Sequence, residues 1–152
     1  MKRLLLIPIL GYVQAPSEGF IPIPLPVKQI EVEVIQQPDI VKALIQIESS
    51  GRDNAHNISE DAVGCLQIRP IMVREVNRIL RKQGGTFRFE LEDRWDREKS
   101  IEMFHIWREH HHPDSDDETI SRCWNGGGKG PKKESTLHYW RKVKNKLNEL
   151  ES

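Results

Sequence analysis

Glu48 closes an apolar helical run and is followed by two glycine-hinged polar corners, Gly64-Cys65-Leu66-Gln67 and Trp124-Asn125-Gly126-Gly127. A carboxyl at the rim of a buried face resists ionising, so its pKa rises toward the range in which it can hand a proton to a leaving oxygen. That is what a general acid requires. One such acid beside two polar corners suits the breaking of a sugar linkage. The helix taken alone favours the ordinary solvated end of an amphipathic helix, and it is the surrounding motifs that turn the reading toward an acid.

The elements that must position these groups follow from the apolar spacing. Ile40, Leu44 and Ile47 recur at helical intervals after Pro38-Asp39, which marks a helix start. Gly64 permits a backbone turn close to a ligand and brings the Gln67 amide, with its donors and acceptor, toward a sugar; the same amide is also suited to tying down a neighbouring carbonyl. The Trp124–Gly130 stretch reads as a turn between two helices, and Asn-Gly with repeated glycine is common turn punctuation. Further helices are predicted over 71–83, ended by Gly84-Gly85, and over 96–110, 116–124 and 135–150, the last with Leu137, Trp140, Val143, Leu147 and Leu150 along one side.

Taken together, Glu48-Ser49-Ser50-Gly51, Asp61-Ala62-Val63-Gly64-Cys65-Leu66-Gln67-Ile68-Arg69-Pro70 and Cys123-Trp124-Asn125-Gly126-Gly127 resemble the three signatures of the soluble lytic transglycosylase family. Thr136, Tyr139 and Val143 resemble the Thr-x-x-Tyr-x-x-x-Val helix that closes the family's domain. The resemblance spans about residues 39–147. It implies a mainly α, α+β lysozyme-like fold, a single small helical domain with its cleft between helices. It also implies that Glu48 protonates the β-1,4 linkage between N-acetylmuramic acid and N-acetylglucosamine of peptidoglycan, then takes the proton of the muramyl 6-hydroxyl as that group closes a 1,6-anhydro end. Ser49, Gln67 and Asn125 are then candidates to orient the acid or hold the sugar.

Two positions depart from the pattern. Trp124 stands where the family has a tyrosine that contacts the glutamate, and Cys65 where it has leucine. An indole donates one hydrogen bond and accepts none through nitrogen, so Trp124 is expected either to tune Glu48 differently or to serve as a stacking wall. Tyr139 is the candidate stand-in for the missing hydroxyl, with a core role as its alternative. Glu60 and Asp61 lie where lysozymes of related fold supply a second acid, and two carboxyls at a suitable separation would permit hydrolysis. Both are expected to be solvated loop residues. A non-cutting peptidoglycan-binding or structural envelope or virion protein on the same fold is the other alternative.

With 152 residues, 37% of them hydrophobic, the chain has material for one core and too little for two ordinary domains. Its zero formal net charge argues against a globally basic nucleic-acid binder, although lysines and arginines gather from Lys129 to Lys146, where they would attract an anionic polymer or simply coat a helix. Residues 1–15, with Lys2-Arg3 ahead of Leu4–Leu10, read as a secretory signal peptide too short to span a bilayer, with Pro16 unfavourable just after a cut. Residues 16–38 read as a proline-rich extended linker in which Ile30–Val34 alternates like a strand. An exported monomer, periplasmic, extracellular or virion-borne, is expected. The run His110-His111-His112, with His105 and the aspartates after it, lacks the paired spacing of a zinc site and is expected to be a solvated helix end, so neither metal nor cofactor is expected. Cys65 and Cys123 are either a disulfide of an exported protein or buried thiols, and buried thiols are the reading adopted.

Overall fold

The computed structural model of the chain describes residues 39–152; the expected signal segment, linker and strand at 30–34 lie outside them. Five α-helices dominate: α1 Asp39–Ser49, α2 Pro70–Lys82, α3 Arg97–His111, α4 Asp117–Gly126 and α5 Ser135–Glu151. The mainly helical expectation is therefore met. A two-stranded antiparallel ribbon, β1 His56–Asn57 with β2 Ala62–Val63, joins α1 to α2. Strands this short leave no alternation to read, and the sequence shows only a loop there.

Local chemistry sets the helix bounds. Pro70 takes the first turn of α2, where its missing N–H costs nothing. Asp96 caps α3 by accepting from the Lys99 N–H at 2.9 Å, and Asp116 caps α4 by accepting from the Thr119 N–H at 2.8 Å. Instead of turning at Trp124, α4 runs on through Asn125 and Gly126, and the chain leaves at Gly127 with φ +73°. The expected turn is thus the last turn of a helix, so the Trp124 and Asn125 side chains point from a rigid element.

The core sits where α1 meets α5, α5 meets α4 and α2 meets α3. Val41, Leu44, Leu66, Val76, Met103, Phe104, Ile120 and Val143 are all fully enclosed there. The α5 stripe holds through Val143 and Leu147, but Leu150 is 42% exposed because the helix outruns the core. Among the described residues no helix is long and apolar enough to cross a membrane.

Two buried arginines pin the segments between helices. Arg94 donates to the carbonyls of Leu91 at 2.8 Å, Asp61 at 2.8 Å and Ile68 at 3.2 Å, and so fixes the corner between β2 and α2. Arg122 donates to Thr136 Oγ1 at 2.9 Å, to the Lys133 carbonyl at 3.1 Å and to Glu118 at 2.8 Å, fixing the segment between α4 and α5. Such multiply bonded guanidinium groups satisfy carbonyls that would otherwise be buried without partners.

Candidate functional site

A cleft of about 820 Å³ opens along one side of the helices, with Glu48 among its lining residues. Glu48 lies in the last turn of α1, and only part of it is exposed. Burial pushes its carboxyl from the ordinary 4.5 up to about 7, and the charge of Glu60 adds to the rise; the Tyr139 hydroxyl and the Trp124 indole N–H oppose it less strongly. A carboxyl with this pKa carries a proton in half of the molecules near neutrality, the condition sought in a general acid.

The Tyr139 hydroxyl donates to Glu48 Oε1 at 2.6 Å. This contact joins α5 to α1, two helices that pack against each other. With Oε1 engaged as an acceptor, a proton on the carboxyl is left to the other oxygen. Burial and the neighbouring Glu48 charge in turn raise the Tyr139 pKa, so the phenol stays a donor throughout the physiological range. Tyr139 thus places a hydroxyl on the acid from α5. Trp124 stands at the cleft wall, edge-on to Phe104 and Trp107 at 5.2 Å from each ring.

Gln67 also lines the cleft, but its amide nitrogen is already committed. Nε2 donates to the Ala55 carbonyl at 3.1 Å and the Gly64 carbonyl at 3.0 Å, which uses both of its hydrogens. What Gln67 can offer a ligand is its Oε1 acceptor, and its donors hold the corner together. Asn125 lies exposed on the cleft. Ser49 requires a correction. Its side chain is buried and donates to the Ile45 carbonyl at 3.0 Å, because one residue along a helix rotates the side chain by about 100° and carries it off the face that Glu48 occupies. Ser49 neither orients the acid nor reaches the cleft.

The two loop acids separate. Glu60 lines the cleft, half exposed, with Arg69 Nη1 3.9 Å away, and it acts on Glu48 through charge. Asp61, at φ +48°, turns its carboxylate toward Arg94 at 3.4 Å and is outside the lining.

His110 and His111 are exposed in the last turn of α3, as expected of a solvated helix end. His111 and His112 line the same cleft as Glu48. His111 Nε2 lies 2.7 Å from Glu75 Oε1, and the His112 ring packs 4.9 Å from that of Trp107. His105 lies on another face, edge-on to Phe104. Cys65 and Cys123 are both buried free thiols, and burial raises the pKa of each.

Sequence reasoning had no way to assign Trp107, His111, His112 and Glu75 to the cleft, since they come from α2 and α3 and join only through the packing of those helices. Arg122 carried a weak signal, an arginine between the small residues Ser121 and Cys123, whereas Arg94 stands in the charged run Glu92-Asp93-Arg94-Trp95-Asp96-Arg97 and carried none.

The raised pKa of Glu48 has a consequence for stability. In the unfolded chain the carboxyl ionises near 4.5, in the folded chain near 7. Below 4.5 both states are protonated and nothing is lost; between the two values only the unfolded state ionises, and stability falls by about 1.4 kcal/mol per pH unit until the folded group ionises too. Glu48→Gln protein is therefore expected to be about 3 kcal/mol more stable than the wild type at pH 8 and equal to it at pH 4. Urea unfolding at the two pH values measures this, and equal midpoints at pH 8 would contradict the burial of the charge.

Comparison with models of known protein families and with curated proteins finds no match to this chain.

Proposed function

We propose that the protein is a lytic transglycosylase of lysozyme-like fold that cleaves the β-1,4 bond between N-acetylmuramic acid and N-acetylglucosamine in peptidoglycan. The observation that carries this reading is Glu48, one cleft-lining carboxyl with a pKa of about 7 and a tyrosine hydroxyl on one of its oxygens. In its protonated form Glu48 gives its proton to the glycosidic oxygen as the bond to the muramyl anomeric carbon breaks. In its ionised form it removes the proton of the muramyl 6-hydroxyl as that oxygen bonds to the same carbon, closing the 1,6-anhydro ring. The proton balance closes with no water consumed. Trp124 supplies an apolar wall, and Asn125 and Gln67 Oε1 supply polar contacts for the sugar.

A second reading, hydrolysis, has one specific observation in its favour. Glu60 faces the same cleft and its charge reaches Glu48, so it is the carboxylate that would hold a water against the opposite face of the sugar. Digestion of purified peptidoglycan followed by mass analysis separates the outcomes. Anhydro-muramyl ends that disappear with Glu48→Gln support transglycosylation, reducing ends indicate hydrolysis, and binding without fragments rejects both.

Tyr139→Phe tests the tuning of the acid. Loss of a hydrogen bond to a charged group lowers kcat/KM about tenfold. Because the hydroxyl lowers the Glu48 pKa, its removal moves the alkaline limb of the pH profile to higher pH. A limb that stays in place or moves down would mean that the hydroxyl does not stabilise the ionised form.

A further inference from the structure

One cation on the cleft has no task in the chemistry of Glu48. Besides the histidines, Arg69 and Lys133 are the cationic side chains in its lining. Arg69 faces Glu60 at 3.9 Å. Lys133 forms no ion pair among the described residues, and its Nζ donates to the Gly126 carbonyl at 2.6 Å. An ammonium carries three donors, so two are left for a ligand.

The backbone beneath this lysine is fixed. The Lys133 carbonyl accepts from Arg122 Nη2 at 3.1 Å and from Thr136 Oγ1 at 2.9 Å, and its N–H donates to the Gly130 carbonyl at 2.9 Å. Arg122 and Thr136 are buried, which ties the residue to the packed junction of α4 and α5. The side chain lies along the last turn of α4, where its Cδ would stand 3.6 Å from a Cβ at Gly126, an ordinary van der Waals contact. The ammonium is thereby held at the cleft edge that Asn125, Gly126 and Gly127 also line.

Capping the end of α4 is a sufficient use for one donor, but it leaves the charge uncompensated. Lys129 and Lys132 stand exposed close by in sequence, with Glu134 the one acid between 129 and 134. The acids of the cleft, Glu48, Glu60 and Glu75, come from elements ahead of α3. A ligand that matches this distribution of charge carries an anion on the side that meets the end of α4. Muramic acid differs from glucosamine by such a group, a lactyl ether that ends in a carboxyl. Where a peptide is joined to that carboxyl, the carboxylates are the peptide's.

We propose that Lys133 is a specificity-determining residue that binds a carboxylate of the muramyl substituent, and so favours muramyl glycan over a neutral polymer of N-acetylglucosamine. This inference rests on the glycan reading of the cleft. Lys129 and Lys132 add attraction at longer range, which salt screens. No bond breaks and no proton moves at Lys133, so its effect falls on binding.

The test titrates full-length Glu48→Gln protein, which does not consume the ligands, with three tetrasaccharides in a calorimeter. One is the N-acetylglucosamine tetramer, the second alternates N-acetylglucosamine with N-acetylmuramic acid bearing free lactyl groups, and the third is the second with peptide stems attached. A muramyl tetramer is expected to bind about fivefold more tightly than the neutral one, as one favourable exposed ion pair yields, and the advantage should shrink in about 0.5 M salt. An advantage present with free lactyl groups assigns the carboxylate to the lactyl group itself; one seen only with stems assigns it to the peptide. Adding Lys133→Met is expected to remove the advantage, and adding Lys133→Arg to keep it. Loss of a helix cap would not produce that pair of results, since it affects every ligand alike. Equal binding of all three tetramers, an advantage that survives Lys133→Met, or one that Lys133→Arg also removes overturns the role of Lys133 and leaves the catalytic reading intact. Failure of every tetramer to bind overturns the glycan reading along with it.

Discussion

Glu48→Gln protein is expected to release fragments from peptidoglycan about 10³-fold more slowly than the wild type, within the range that a positioned acid or base contributes. Glutamine keeps the shape of the side chain and an oxygen for the Tyr139 hydroxyl to bond, so the cleft survives while the transferable proton does not. The loss should fall mainly on kcat, because the proton moves only as the bond breaks. Fragment release at pH 6 by both proteins, quantified over a substrate series, provides the measurement. A variant that cuts within tenfold of the wild type would remove Glu48 from the chemistry. The wild-type rate should also fall as pH rises through about 7, since the proton donor is then lost.

Gly64→Ala is expected to destabilise the fold by about 4 kcal/mol. Gly64 has φ +78°, and a Cβ there would lie 1.9 Å from the Arg94 carbonyl oxygen, a backbone atom that cannot swing away. The same carbonyl accepts from Ser100 Oγ at 2.9 Å, and the Arg94 side chain holds the corner through Asp61 and Ile68, so relief of the clash would disturb several bonds at once. Gly84 provides the comparison. It has φ +80° but nothing within 4 Å of a new Cβ, and alanine there should cost about 1 kcal/mol. Urea midpoints of the two variants check the difference, and equal midpoints would show that the corner yields easily.

How much of this was legible beforehand depended on whether the determinant was local. The helices were, because the spacing of Ile40 and Leu44, the caps Asp96 and Asp116 and the leading Pro70 each act within a few residues. Glu48, Gln67, Trp124 and Asn125 were found as motif members and do share one cleft. Tyr139 was found as an alternative to the absent tyrosine, and its 91-residue separation from Glu48 is bridged by α5 lying on α1. Ser49 was misread because adjacency in sequence was taken for adjacency in space, which a helix denies. The exposed end of α3 at His110 and His111 follows from its polar composition, whereas the placing of His111 beside Glu75 and of His112 beside Trp107 is set by tertiary packing.

The unlinked state of Cys65 and Cys123 bears on how the protein can be made and stored. No covalent bond between them contributes to this fold, so it is complete under reducing conditions, and its melting temperature should be indifferent to dithiothreitol. Enclosure and a raised thiol pKa also keep both sulfurs slow toward alkylating reagents, which makes their labelling rate a gauge of how often the interior opens.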